Sequence, residues 1–292
     1  MEHLGPLSGP FRGSVALRDG RVTPARLRDG SFVRVGADSY VGEMVDPAEV
    51  AVRAAALGIW SRGRGVLAGP LAALVHEVDC PWDDADVVLP TARRLTPPHV
   101  RVRTDRLAPH EVVERAGVLL TSPIRTAFDL GRRPPLIEAV AAVDALAHRY
   151  RFGAGALHAL AAEHPGARGL ALLRRVLALM NPLAESLMET RTRLGLVLRG
   201  VPTPVLQHVL TLPGYGRVRL DLAWPAPPPR RRPLALEYDG PSHRTIAGQN
   251  RDLRRDAALD RFGWDVLHVS SSAVLDAREG DDLATRVRRR VT

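Results

Sequence analysis

The chain has 292 residues, about twice the length of a typical domain, so two or three domains are expected. All 41 Lys and Arg residues are arginine, which excludes a catalytic lysine. The formal net charge of +9 favours a nucleic-acid partner, although a codon bias toward arginine would give the same composition. The single cysteine, Cys80, excludes an internal disulfide, and no cysteines and histidines have the spacing of a zinc site. The sequence shows no signal peptide and no apolar run long enough to span a membrane, which predicts a cytoplasmic protein without a membrane partner.

Residues 1–45 have the pattern of a small winged helix-turn-helix. Helices are predicted at Ser14–Asp19 and Thr23–Asp29, followed by a two-stranded wing that ends near Val41. In such a domain the second helix can enter the major groove of DNA. A packing subdomain with a solvated face is the alternative. The arginines of this region that are candidates for contacting nucleic acid are Arg26, Arg28 and Arg34.

The middle region, residues 46–180, is predicted to mix helices and strands and offers no catalytic motif. The predicted helices and strands are Pro47–Trp60, Pro70–His76, Asp86–Leu89, Val100–Arg103, Ile124–Gly131, Leu136–Tyr150 and Gly169–Met180. A domain boundary is predicted at Asn181-Pro182, which gives three domains over residues 1–45, 46–180 and 181–292.

The C-terminal domain is predicted to run in the order helix, β-hairpin, strand, helix, strand, helix. This order predicts an α/β domain with a mixed sheet flanked by helices, within a chain that is α+β overall. The elements after a first helix that ends near Arg199 are predicted at Val205–Leu210, Arg217–Trp224, Leu234–Tyr238, Ile246–Phe262, Asp265–Val269 and Ser272–Val291.

Acidic residues of two neighbouring predicted strands are candidates for binding a metal. Alternation in β-structure predicts that Leu220 and Leu222 face one side of the sheet and Asp221 the other, and it places Glu237 and Asp239 on one shared face. Carboxylate oxygens are the ligands that Mg²⁺ prefers, with Mn²⁺ as a second option, and such an ion can orient water and polarise a phosphate.

A histidine and an arginine-rich helix follow these acids. His243 comes shortly after the strand end, where an imidazole can move a proton. In the predicted helix, Ile246, Leu253 and Ala257 are expected to face inward, and Arg251 and Arg255 are expected to point roughly opposite. The arginines of this helix that are candidates for contacting phosphate are Arg251, Arg254 and Arg255; surface pairing with neighbouring aspartates is the alternative.

These motifs resemble the domain of unknown function 559, a relative of the very-short-patch repair endonucleases in the PD-(D/E)XK nuclease superfamily. The resemblance rests on the segments that begin at Arg219, Leu236, Arg251 and Gly263. It implies that Asp221 and Glu237 bind the metal. Asp239 stands where the superfamily has lysine, and His243 is then the best substitute, as in the very-short-patch enzymes.

The preceding segment, Glu185–Arg193, also resembles this family, and it implies that Glu189 is a helical acid that assists at the metal. Glu185 lies four residues earlier and could take its place, and an ion pair from Glu189 to Arg193 is the alternative. The upstream region has a weaker resemblance to the AbiEi family of type IV antitoxins, carried by residues 65–79 and Leu120–Leu130.

Two functions are therefore expected. The first is a metal-dependent endonuclease that hydrolyses DNA phosphodiester bonds. The second is a non-catalytic DNA-binding regulator or antitoxin-like protein, with a toxin partner or a homodimer as further options. Salt-sensitive DNA binding that persists without the acids would distinguish the second from the first.

Overall fold

The structure, a computed structural model, describes residues 7, 9–91, 96–97, 99–225, 231–238 and 246–292, with the backbone alone over 246–252. Its fold is α+β overall, with three sheets of mixed or antiparallel strands in the described chain. Residues 1–133 and 154–170 form one compact unit, and residues 134–153 and 171–292 form a second. No described helix has the length and apolar character needed to cross a membrane.

The elements up to the end of the middle region begin with a short strand and helix and continue through two sheets. In chain order they are β1 (Phe11–Arg12), α1 (Gly13–Arg18), β2 (Phe32–Gly36), β3 (Ser39–Gly42), α2 (Val50–Trp60), β4 (Val66–Ala68), α3 (Gly69–Val75), β5 (Ala85–Val88), β6 (Val100–Arg103), β7 (Val112–Arg115), β8 (Val118–Thr121), α4 (Pro123–Leu130), α5 (Leu136–Tyr150), α6 (Ala154–Glu163) and α7 (Leu170–Leu179).

The C-terminal elements follow the predicted order, with the closing helix divided in two. They are α8 (Leu187–Val197), β9 (Val205–Leu212), β10 (Gly216–Trp224), β11 (Leu234–Tyr238), α9 (Ile246–Arg261), β12 (Asp265–Val269), α10 (Ser271–Leu275) and α11 (Ala277–Val291). The sheet order is β12-β11-β10-β9, antiparallel except for the parallel pair of β11 and β12.

The predicted hairpin near the N-terminus is confirmed, but the predicted second helix is not. Strands β2 and β3 pair around a turn in which Asp38 has a φ of 58°. Thr23–Asp29 forms turns, although the backbone N–H of Leu27 donates to the carbonyl of Thr23 at 3.2 Å. The segment is only a few residues long before Gly30, and helix nucleation is costly at that length.

The middle region builds a five-stranded sheet in the order β6-β5-β4-β8-β7. The predicted strands near Asp86 and Val100 are confirmed as β5 and β6, and the sequence missed β4, β7, β8 and α6. The core of this sheet includes Trp60, Leu67 and Leu120, all buried. The missed strands are only three or four residues long, which is too short for a periodic pattern to be recognised in the sequence.

A buried arginine organises the charged part of this unit. The side chain of Arg125 donates from Nη1 to Glu111 Oε1 at 2.5 Å and from Nη2 to Asp105 Oδ2 at 2.7 Å. Its Nε lies 3.2 Å from both carboxylate oxygens of Asp129. His164 Nε2 is a further partner of Glu111 Oε1, at 2.9 Å. The residue is 1% exposed, so its charge depends on these partners rather than on water.

Two of the carboxylates in this network stay ionised despite their burial. Burial alone would raise the pKa of Asp129, but Arg103, Arg125 and Arg132 outweigh it and lower the pKa. Burial also opposes ionisation of Glu111, yet the backbone N–H of Ala108 and the Arg125 guanidinium lower its pKa. The network is therefore a satisfied cluster of charges.

The second unit joins helix α5 to the C-terminal domain. The Asp144 carboxylate of α5 accepts from Arg193 Nη2 at 2.8 Å, from Thr190 Oγ1 at 2.9 Å and from the backbone N–H of Asn181 at 2.7 Å. Burial raises the pKa of Asp144 to about 6. Because of these contacts, residues 134–153 and 171–180 pack with the C-terminal elements, upstream of the predicted boundary at residue 181.

Replacing Arg125 by methionine is expected to lower the free energy of unfolding by about 3–5 kcal/mol, because Glu111 and Asp129 would each lose a buried cationic partner and their burial would be compensated less well. The measurement is urea unfolding followed by circular dichroism at pH 7. Arg106→Met, a change at an exposed arginine of the same unit, is the control and should have little effect. Equal stability of the two variants would contradict the role assigned to the network.

Candidate active site

Strands β10 and β11 bring Asp221 and Glu237 together. Leu222 pairs with Leu236 in the antiparallel ladder, and Asp221 and Glu237 are the next positions on the two strands. Glu237 is 8% exposed and Asp221 is half-buried. The two carboxylates predicted to lie together are therefore neighbours on adjacent strands, in a place that water reaches poorly.

The predicted alternation around Asp221 is wrong, because the strand changes faces at this residue. Val218 and Leu220 pack with Leu259 and Trp264 on the side of α9. Leu222 instead joins the core on the other side of the sheet, where α8 and α11 pack. Leu220 and Leu222 thus lie on opposite faces, and Asp221 occupies the turning point between the two cores.

The neighbouring strand β9 changes faces at the same level. Leu220 pairs with His208 and Leu222 with Leu206, which leaves Gln207 opposite Asp221. Gln207 has a φ of 51°, in the left-handed region that a non-glycine residue rarely adopts. A period of two residues assumes regular strands, so sequence alone could not reveal this irregularity.

Glu237 is held by an arginine of helix α9. Arg255 Nη2 donates to Glu237 Oε1 at 2.8 Å and to the backbone carbonyl of Arg219, also at 2.8 Å. Burial and, to a smaller extent, the charge of the nearby Asp221 raise the pKa of Glu237 to about 7, although Arg255 acts to lower it. One arginine therefore compensates the two acids only in part.

Asp221 is also harder to ionise than an ordinary aspartate. Burial raises its pKa most, and the charge of Glu185 adds to this; Arg255, the backbone N–H of Tyr238 and Arg219 act in the opposite direction. The net pKa shift is upward, as it is for Glu237. When the pKa of an acid is raised in this way, its ionised form is poorly stabilised, and a bound cation would stabilise it.

A third acid, Glu189, lies at the start of helix α8. Ser186 caps this helix by accepting the backbone N–H of Glu189 at 3.1 Å. The Glu189 Oε2 atom accepts from the backbone N–H of Glu185 at 3.0 Å and from Gln207 Nε2 at 2.8 Å. Burial raises the pKa of Glu189, and the charge of Asp221 raises it further, so these two acids interact.

Both alternatives to a role for Glu189 have other partners in the structure. Arg193 binds Asp144, as described above, and its Nη1 donates to the backbone carbonyl of Leu179 at 2.8 Å. Glu185 precedes helix α8 rather than sharing its face, and both of its oxygens accept from Arg219 at 2.8 Å. Of the two glutamates, Glu189 is the buried one.

The predicted orientation of helix α9 is wrong. Leu253 is 67% exposed, whereas Leu259 is fully buried, so the helix is rotated relative to the expected inward stripe. Arg255 lies one turn before Leu259 and therefore reaches the sheet, while Arg254 is exposed. Leu259 was the signal in the sequence that could have placed Arg255 beside the acids.

Several other predicted residues lie outside what the structure describes. Asp239 and His243 fall in the undescribed residues 239–245, and the side chain of Arg251 is likewise outside the description. In the N-terminal region, Arg26, Arg28 and Arg34 are all exposed. Their guanidinium groups contact the Phe32 ring at 5.4 Å, the carbonyl of Pro24 at 3.0 Å and the carbonyl of Gly36 at 3.2 Å, respectively.

The donor chemistry of the corner formed by Asp221, Glu237 and Glu189 fits a hard divalent cation. All three side chains offer carboxylate oxygens, and burial raises the pKa of each. In the described part of the chain, however, no three His, Cys, Asp or Glu side chains already converge at metal-binding distance. A cation here would draw the acids closer than they lie in the structure.

Comparisons with known proteins place the whole chain in a family. Uncharacterized protein MT2308 of Mycobacterium tuberculosis strain CDC 1551 / Oshkosh and Uncharacterized protein Rv2248 of strain ATCC 25618 / H37Rv are each 30% identical to it over 271 residues. The match covers 90% of this chain and 94% of each relative. The chain therefore belongs to the same family as these mycobacterial proteins. No family model matches it. No solved structure matches it either.

Replacing Glu237 by glutamine is expected to raise the free energy of unfolding at pH 8 by about 1–3 kcal/mol. The folded pKa of about 7 is above the ordinary value of 4.5, so the folded state holds the proton more tightly and loses stability as pH rises between these values. The gain should therefore be small at pH 5.

The measurement is thermal and urea unfolding of both proteins at pH 5 and pH 8. Glu43→Gln, at an exposed glutamate, is the control and should show no such pH dependence. A Glu237→Gln variant that is less stable than the wild type at pH 8 would show that the ion pair with Arg255 outweighs the cost of burying the charge.

Proposed function

We propose that this protein is a metal-dependent endonuclease that hydrolyses DNA phosphodiester bonds at the corner formed by Asp221, Glu237 and Glu189. The observation that carries the proposal is that Asp221 and Glu237 are neighbours on adjacent strands and that they and Glu189 all have raised pKa values, which Arg255 and Arg219 offset only in part. The resemblance of the surrounding motifs to PD-(D/E)XK nucleases supports the same conclusion, because it assigns the metal to Asp221 and Glu237 on independent grounds.

In this proposal, Asp221 and Glu237 hold Mg²⁺ or Mn²⁺, and Glu189 assists from helix α8. The ion would orient a water molecule and polarise the scissile phosphate. Because the acids must release protons to bind it, affinity for the ion should rise between pH 6 and pH 8. Asp239 and His243 keep the roles expected from the sequence, as a further ligand and a proton-transfer group.

Arg255 is proposed to supply the positive charge that the superfamily takes from lysine. Its guanidinium lies 2.8 Å from Glu237 Oε1 and is 21% exposed, so it is both close to the acids and open to a ligand. Arginine can donate to a phosphate and a carboxylate at once, because its donors point in several directions. The pairing with Glu237 therefore holds this arginine where a phosphate would arrive.

Cleavage of supercoiled plasmid with Mg²⁺ or Mn²⁺ at pH 8 tests the proposal. Asp221→Asn and Glu237→Gln are each expected to lower the nicking rate by at least about 100-fold. Loss of a partner that only supports a metal ligand costs up to about 100-fold, and loss of a ligand itself should cost at least as much. Asp282→Asn, at an exposed acid of the same unit, is the matched control and should retain wild-type activity.

Nicking that both site variants retain would indicate a contaminating nuclease and contradict the proposal. The absence of metal-dependent cleavage of plasmid, linear duplex and single-stranded DNA would contradict it as well. DNA binding that persists in either case would favour the second function.

That second function, a DNA-binding regulator, is favoured by the exposed arginines of the N-terminal subdomain. Replacing Arg26, Arg28 and Arg34 together by glutamine should weaken binding to a labelled duplex and lower the slope of log K against log salt by up to about three units. The control replaces Arg278, Arg286 and Arg289, which are exposed on helix α11, in the same way. Equal effects of the two triple variants would rule out a specific role for the N-terminal arginines.

A further inference from the structure

Gln207 has an unusual backbone for a residue inside a strand. Its φ of 51° is the one positive φ of a non-glycine residue within any described strand. Such a conformation costs about 1–3 kcal/mol and persists only when the surroundings enforce it. The strain falls directly opposite Asp221, at the point where β9 and β10 change faces. This position is therefore where a functional reason for the strain is to be sought.

Only one of the two polar atoms of the Gln207 side-chain amide has a hydrogen-bond partner among the described residues. Its Nε2 donates to Glu189 Oε2 at 2.8 Å. Its Oε1 is shielded from solvent and has no hydrogen-bond partner among the described residues. The reverse orientation of the amide would place an oxygen against the Glu189 carboxylate, acceptor against acceptor, so the contact fixes which atom is left over.

A buried carbonyl oxygen without a partner lowers the stability of the folded state by about 1–3 kcal/mol, and a hydrogen-bond donor or a cation would remove this penalty. The amide is planar, so holding Nε2 on Glu189 also fixes Oε1 next to Glu189, at the strand position opposite Asp221. Amide oxygens of Gln are accepted as ligands by hard divalent cations, together with carboxylates. A neutral ligand adds an oxygen to such a site without adding to the repulsion between the acids.

We propose that Gln207 is a further ligand of the cation site: its Oε1 coordinates the bound divalent cation, directly or through one water molecule, while its Nε2 holds Glu189 in place. This inference rests on the function proposed above, since it needs a cation at Asp221 and Glu237. In this proposal, the left-handed backbone conformation of Gln207 orients its side-chain amide toward the cation.

Binding of Mn²⁺ to the full chain, measured from the loss of the free-ion EPR signal, tests this without reference to cleavage. Gln207→Met removes both the donor and the acceptor and should raise the Kd by about 10-fold or more. Gln207→Glu keeps an oxygen but cannot donate to Glu189, and it should bind Mn²⁺ at least as tightly as the wild type at pH 8. Asp221→Asn should abolish binding.

Two further variants separate binding from folding. Gln207→Asn should fold well because asparagine tolerates the left-handed region, yet its shorter side chain withdraws the amide, so its Kd should rise like that of the methionine variant. Val209→Met, at an exposed position of the same strand, should leave the Kd unchanged. Circular dichroism and the melting temperature of each protein check the fold.

Wild-type affinity in both the methionine and the asparagine variants would overturn the inference while leaving the cation site intact. Equal weakening in the methionine and glutamate variants would overturn the ligand role, because it would show that Gln207 acts only by holding Glu189. Failure of the wild type to bind Mn²⁺ at all would overturn this inference and the proposed metal-dependent function together.

Discussion

The burial of like charges beside one another is the constraint on which the candidate site depends. Asp221 and Glu237 are neighbours on adjacent strands, and Glu189 approaches from the start of helix α8. Burial raises the pKa of all three, the charge of Asp221 adds to this for both glutamates, and Arg255 acts against it only for the pair on the sheet. Such an arrangement lowers the free energy of unfolding, and the burial of apolar side chains on both sides of the sheet offsets this loss.

The two units treat buried charge in opposite ways. Around Arg125, three arginines hold Asp129 and lower its pKa although it is buried. Around Asp221 the positive charge falls short, and the pKa shifts upward. A fully compensated network stabilises a core, whereas an undercompensated cluster retains the capacity to bind a cation or a proton. This contrast, rather than the number of acids, distinguishes the structural cluster from the candidate site.

The change of faces at Gln207 and Asp221 links the site to the fold. Leu220 and Leu222 anchor the strand in separate cores, so the backbone between them is fixed from both sides. The same two cores position helix α9, which carries Arg255, and helix α8, which carries Glu189. A strained residue persists in this place because packing on both faces determines its backbone conformation.

Composition and local periodicity were enough to predict the order of the C-terminal elements, the position of Asp221 and Glu237 on two consecutive strands and the exclusion of a catalytic lysine. The α+β class followed from the same patterns. The folded structure was needed to show that Leu220 and Leu222 lie on opposite faces, that Arg255 turns toward Glu237, that Gln207 holds Glu189, and that Thr23–Asp29 is not a helix. These features depend on strand register, helix rotation and packing between distant segments, and local patterns carry no information about contacts made across the sheet.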